Sequence, residues 1–238
     1  KNHKDLNKKL KRIKVDSVIH CATNYTKEHK HTDISKIIKA NIEFGNIILE
    51  NLDRMGVKSF INFCTVWQNF NSITKKPFNL YSASKNAFLE VLKFYQNRYN
   101  KINFFNLYIA DTFGENDRRK KIINVIKNNN IKRKSVNIVS KNLSLNLLNV
   151  KDVIRAIIIP ISKNIKSGDY NVINSKNFIM SKLISHLKKD RDFKSKIIWE
   201  NKKIVNDKIL KLPKLPNWEP KHSNLENLIN FILRKRTF

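Results

Sequence analysis

Glycine is scarce in this chain: Gly45, Gly56, Gly114 and Gly168 are the only four among 238 residues. A Gly-rich phosphate loop needs glycines a few residues apart, so none can be built from these positions. Cysteine is scarcer still, with Cys21 and Cys64 each at the end of an apolar run. That placement predicts buried, reduced thiols and a cytoplasmic location. No apolar run approaches the ~20 residues of a membrane span. Asp5 and the lysines around it argue against a secretory signal over the first residues. No membrane partner is expected, and no set of side chains is assigned to a metal. Acidic residues are few as well, 19 against 48 lysines and arginines, giving a net charge of +29.

A balance this basic raises nucleic acid as a partner. The lysines, however, are spread along the whole chain among abundant asparagine and isoleucine. They do not interleave with aromatics on a recognisable module. They read as a solvated surface, and a nucleic-acid-binding protein ranks last among the alternatives. With 41% apolar residues, the chain can bury one large core, or a core with a small appendage.

The apolar pattern sets the order of elements. Leu6, Leu10 and Ile13, spaced four and three apart, predict a short helix. Val15, Val18 and Ile19 in KVDSVIHCAT form a run of strand length. Residues 33–53 read as one long amphipathic helix, with Ile34, Ile37, Ile38, Ile48 and Leu52 on its buried side and Gly56 as its stop. SFINFCT is a second buried strand, ending at Thr65, and INFFNLYIAD a third, ending near Asp111. Between them a loop over 66–79 leads into a helix over 80–99. Helices and strands in alternation predict a parallel sheet covered by helices. Ligands of such sheets lie outside the carboxyl ends of the strands. Cys21, Ala22, Thr65, Asp111 and the start of the helix over 80–99 then share one rim.

Further along, Arg118, Arg119, Lys120 and Lys121 stand in a row, equally a solvated face or a phosphate clamp. A helix over Ile122–Ile126 follows, then a loop. LSLNLLN reads as a strand, and VKDVIRAIIIPI as a buried helix from Val150. SGDYNVIN and KIIWE are further strands. Ser181 is placed to cap LISHLKK, and Ser223 with Glu226 forms a capping box for the last helix.

The helix over 80–99 carries the chemistry. Tyr81, Lys85, Phe88, Leu92 and Tyr95 fall on one stripe at helical spacing. An ammonium on a packed face is costly without a reason. A phenol one turn earlier offers one, because a nearby cation favours the phenolate and brings its pKa toward neutrality. A snorkelling lysine beside a structural tyrosine is the plainer alternative.

At this point the motifs, taken in order, resemble the extended short-chain dehydrogenase/reductases, the NAD(P)-dependent nucleotide-sugar epimerase/dehydratase family. VDSVIHCAT is similar to the family's fourth-strand motif, KANIEFGNIILE to the helix after it, INFCT to the strand bearing the catalytic Ser or Thr, and YSASK to Tyr-x-x-x-Lys. NLYIADTFGEND, LLNVKDVIRA and GDYNVIN match later segments, and the shared order covers nearly the whole chain. The resemblance implies a Rossmann-like parallel sheet with a small C-terminal substrate-binding lobe. It places catalytic roles on Thr65, Tyr81 and Lys85. Contacts to NAD or NADP fall on Cys21, Ala22, Asn41, Phe63, Tyr81, Lys85 and Ile109. Trp67, Asp111, Arg118 and Arg119 would meet a nucleotide-diphosphate sugar. The cofactor domain would take residues 1–115 and 145–175, and the lobe 116–144 and 176–238. The helices at 33–53 and 80–99 are those that relatives pair in a homodimer.

Within the family, TVWQ, NLYSASKNAF and DTFGENDRRKKI are most similar to 4-reductases and 4-epimerases of the CDP-abequose synthase type, which serve deoxysugar and surface-polysaccharide synthesis. Three departures stand out. The family opens with a Gly-rich strand, turn and helix, whereas this sequence begins just before the fourth strand. Tyr108 stands where many relatives carry arginine. Asp111 stands where many carry asparagine, and needs a cation such as Arg118 beside a phosphate. The first of these keeps a catalytically inactive remnant of the same fold in view.

Overall fold

The computed structural model describes residues 3–117, 119–204, 206 and 208–234. The chain begins α1 (His3–Leu10), β1 (Ser17–His20), α2 (Ile34–Ile38), α3 (Phe44–Leu49), α4 (Leu52–Met55), β2 (Ser59–Thr65), α5 (Leu80–Arg98) and β3 (Asn103–Ile109). Next come β4 (Asp111–Phe113), α6 (Ile122–Ile131), β5 (Val136–Ile138), β6 (Ser144–Leu145), β7 (Leu147–Asn149), α7 (Val150–Ser162) and β8 (Gly168–Val172). The last elements are β9 (Phe178–Ile179), α8 (Met180–Lys188), β10 (Ile197–Trp199) and α9 (Leu225–Leu233). They gather into two compact units. The first takes the described residues up to Ile109 together with Ile157–Val172 and Lys208–Pro216, and the second takes the rest.

The first unit is built on a four-stranded sheet, ordered β1-β2-β3-β8 and parallel throughout. Strands β2 and β3 carry apolar side chains on both faces, and Phe60, Ile61, Phe104, Phe105 and Leu107 are all buried. That is what a parallel strand covered on both sides requires. On one face Phe60 and Phe104 pack with Leu10, Leu49, Leu52, Met55, Phe88, Leu92 and Tyr95. The predicted stripe of α5 is therefore its core side, with Lys85 on it.

The second unit has three two-stranded pieces: β4 with β7 and β5 with β10, both parallel, and β6 with β9, antiparallel. Ile126, Ile138, Leu183, Leu228 and Ile232 lie in its core. The carboxylate of Asp152, fully buried in α7, accepts from the backbone N–H groups of Lys221 and His222, the Ser223 hydroxyl and the Arg155 guanidinium.

Several local expectations yield to packing. The helix expected over 33–53 is instead a 3₁₀ turn at His31–Asp33, α2, a π-helical turn at Lys39–Glu43, α3, and then α4 after a break. A π turn inserts one extra residue and rotates the apolar stripe. Ile37 is buried, but Ile34 and Ile38 are exposed. Gly56 does end the run, in the left-handed region at φ 74°. Ile13 and Val15 lie outside α1 and β1 and are exposed, and Val15 N–H donates to the Met55 carbonyl instead. Cys21 falls just past β1 and is exposed, whereas Cys64 is buried. The helix expected over 122–126 runs on to Ile131. α7 is buried on one side only, with Val150, Ile154, Ile158 and Ile161 exposed. Ser181 sits inside α8, which Ile179 precedes without a side-chain cap. Asn224, not Ser223, caps α9, because Asp152 captures the Ser223 hydroxyl at 2.6 Å.

Gly45 lets α3 pack closely against α5. A Cβ there would stand 2.4 Å from Cε2 and 2.6 Å from Cζ of Phe88. Phe88 is fully buried and cannot step aside freely. Gly45→Ala is expected to lower the unfolding free energy by ~1–3 kcal/mol in urea denaturation. Phe88→Leu in the same background should recover part of the loss, and an unchanged midpoint would contradict the contact.

Candidate active site

The site is assembled on the first turns of α5. Asn79 caps the helix: its Oδ1 accepts from Ser82 N–H at 3.0 Å, and its own N–H donates to Ser82 Oγ at 3.0 Å. This fixes the turn that carries Tyr81. The Tyr81 ring meets Tyr25 edge-on at 5.1 Å, and Tyr25 lies 6.1 Å from Trp67. Trp67 packs on Phe78 at 5.1 Å, so an aromatic wall runs from Tyr81 to the segment after Thr65.

Lys85 lies one turn further on and is 3% exposed. Among the described residues no carboxylate pairs with it. Burial pushes its ammonium below the usual lysine value, and the thiols of Cys64 and Cys21 draw it back up. Its charge also acts on His20. Lys85 therefore sits among the carboxyl ends of β1 and β2.

Two amide clamps hold this part of α5, one on each side of Lys85. At Ser84, the hydroxyl donates to the Tyr81 carbonyl at 2.7 Å and accepts from Asn41 Nδ2 at 2.8 Å. Asn41 Oδ1 in turn accepts from Asn24 N–H at 2.6 Å and the Thr23 hydroxyl at 3.0 Å. The loop after β1 is thereby tied to α5. Asn41 is fully buried and lies inside the π turn, which aims it inward. At Asn86, the side-chain Oδ1 accepts from Gln68 Nε2 at 2.9 Å, and its Nδ2 donates to the Gln68 carbonyl at 3.1 Å. Gln68 Oε1 accepts from Thr65 N–H at 2.9 Å, so the end of β2 is tied to α5 as well. Thr65 Oγ1 accepts from Trp67 N–H at 3.3 Å, which leaves its proton free to point elsewhere.

Ser84, Asn86, Gln68 and Tyr25 were not singled out from sequence. Thr65-Val-Trp-Gln68 does carry the Thr-x-x-Gln capping-box spacing, so Gln68 had a legible signal. Ala22, Phe63 and Ile109 are half-buried at or just beyond their strand ends, and Ile109 pairs with Thr65 in register.

In the second unit, Asp111 is met by Lys121 at 3.0 Å. Arg118, the cation expected there, lies outside the described residues. Arg119 grips Asp117 with Nε and Nη2, both at 2.7 Å, and donates to Thr112 Oγ1 at 3.1 Å. Arg119 and Lys121 of the basic row are thus matched by carboxylates.

His20 is pushed down to about 4, mainly by burial and next by the Lys85 charge. The folded chain refuses a proton that the unfolded chain accepts below about 6.5. Stability from this group is therefore complete above that value and is lost as pH falls toward 4. Roughly 2 kcal/mol of unfolding free energy should disappear between pH 7.5 and 5, measured by urea denaturation. His20→Gln should show a flatter profile over this window, and equal slopes would contradict the assignment.

The curated relatives include CDP-abequose synthase of Salmonella muenchen, 23% identical over 203 residues, covering 83% of this chain and 67% of that protein. The CDP-abequose synthase of Yersinia pseudotuberculosis is 28% identical over 163 residues, 68% of this chain and 56% of that one. The chain thus matches between about half and two thirds of the length of these relatives. Among solved structures, UDP-glucose 4-epimerase of Thermotoga maritima superposes with a TM-score of 0.81 at 17% identity, over 98% of this chain and 81% of the other. That likeness makes the fold Rossmann-like. The model of the NAD dependent epimerase/dehydratase family matches residues 1–173, and the chain belongs to that family.

Proposed function

We propose that this chain acts in NAD(P)-dependent oxidoreduction or epimerisation at a hydroxyl or keto carbon, C4, of a nucleotide-diphosphate sugar, in deoxysugar and surface-polysaccharide synthesis. The observation that carries this reading is Lys85: a buried ammonium without a carboxylate partner among the described residues, one turn after Tyr81 and clamped on both sides. Such a group is costly to hold, and groups perturbed in this way cluster at functional sites. The CDP-abequose synthase relatives support the substrate class.

The same buried cation makes the site a fit for a nicotinamide dinucleotide, whose ribose hydroxyls can accept from it. Lys85 and Tyr81 would hold the cofactor together with Cys21, Ala22, Phe63 and Ile109 at the strand ends, and Asn41 would act through the loop it fixes. When bound, the nicotinamide supplies the hydride acceptor and donor. Tyr81 moves the proton of the sugar hydroxyl. Lys85 lowers the cost of the phenolate. Thr65, with one lone pair committed to Trp67 N–H, directs its own proton to the reacting oxygen and aligns it. Trp67 borders the sugar.

The first unit would serve as the cofactor domain and the second as the substrate lobe, where Asp111, Arg118 and Arg119 keep the substrate role that the resemblance implies. Exposed Ile34, Ile38 and Phe94 on α2 and α5 suit a homodimer through these helices. Two free cysteines are in keeping with a cytoplasmic location.

Tyr81→Phe should lower kcat by about 10²–10⁴-fold while leaving sugar-nucleotide affinity near normal by calorimetry. Turnover that survives the substitution would defeat the assignment, and loss of both binding and turnover would point to a structural role instead.

A further inference from the structure

The four parallel strands each place one residue in a single register row. His20 on β1 stands beside Asn62 on β2, Asn62 beside Asn106 on β3, and Asn106 beside Asp169 on β8. Their side chains join end to end. His20 Nδ1 lies 3.3 Å from Asn62 Oδ1, Asn62 Nδ2 lies 3.0 Å from Asn106 Oδ1, and Asn106 Nδ2 lies 2.8 Å from Asp169 Oδ1. Three strand spacings make the row about 14 Å long. His20, Asn62 and Asn106 are buried, and Asp169 is exposed.

The polarity of this row is dictated from its acidic end. A carboxylate only accepts, so Asn106 must turn its NH₂ toward Asp169 and its oxygen toward Asn62. Asn62 must answer with its own NH₂, which leaves its oxygen for His20. His20 must then donate from Nδ1. Reversing any member would set two acceptors face to face. A neutral imidazole with its proton on Nδ1 has a lone pair on Nε2. That atom is buried and has no hydrogen-bond partner among the described residues. The rings of Phe44, Phe60 and Phe88 surround the imidazole at 6.4, 5.9 and 4.9 Å.

We propose that Asp169 is a positioning residue: through Asn106 and Asn62 it holds His20 as the Nδ1–H tautomer, with Nε2 a bare acceptor in the field of Lys85. The imidazole then presents the negative end of its dipole at Nε2 and adds no second positive charge near the buried ammonium. This holds whichever sugar the site takes, and it assigns His20 no contact with substrate.

The tautomer is directly observable. In ¹⁵N-labelled protein, two-bond ¹H–¹⁵N spectra report the protonation of both ring nitrogens in each of the six histidines. The His20 signals are those lost in His20→Gln. The expected wild-type pattern is a protonated Nδ1 and a bare Nε2. Asp169→Lys places donors where only acceptors stood, at an exposed position. It should reverse the row, moving His20 Nε2 from the bare to the protonated range while the other five histidines hold their shifts. Asp169→Glu should keep the wild-type pattern. A wild-type His20 protonated at Nε2 overturns the proposal without recourse to any variant. So does an Asp169→Lys protein, folded by its other histidine signals, in which the His20 tautomer is unmoved.

Discussion

Burying an ammonium without a counter-charge costs several kcal/mol even after relaxation, and the first unit is organised around holding one. The backbone that carries Lys85 is fixed, because Ser84 is tied through Asn41 to the loop after β1 and Asn86 is tied through Gln68 to the end of β2. Each clamp is made of neutral amides and hydroxyls, which fix geometry without cancelling the charge. The arrangement keeps a cation available at the carboxyl ends of the strands, where parallel sheets bind their ligands.

The clamps succeed because α5 is anchored elsewhere. Phe88, Leu92 and Tyr95 are buried against Phe60, Phe104 and the α3–α4 region, and each large apolar side chain contributes roughly 1.5–3 kcal/mol. Gly45 lets α3 approach the Phe88 ring more closely than any side chain would permit. The core half of α5 thus bears the cost of the polar half. The register row from His20 to Asp169 follows the same logic, since the buried amides of Asn62 and Asn106 are each answered by their neighbours in the row.

The charge balance of +29 has little part in this design. At the basic row, Arg119 is gripped by Asp117 and Lys121 by Asp111. Pairs of this kind, partly open to water, contribute about 0–1 kcal/mol each. Lys85, by contrast, is among the least exposed cations of the described residues.

What the sequence determined by itself was the alternation of elements, the parallel sheet, and the stripe of α5 with Tyr81 and Lys85 upon it. Those follow from local periodicity, which a linear reading can count. It also pointed to Thr65 through its place at the end of an apolar run. Tertiary structure alone decided the π turn that aims Asn41, the clamps at Ser84 and Asn86, the placement of Tyr25 against Tyr81, and the capture of the Ser223 hydroxyl by Asp152. Each depends on partners separated by anything from 17 to 71 positions along the chain. Such pairings are set by strand register and by which faces meet in the core, and these exist only once the sheet has formed.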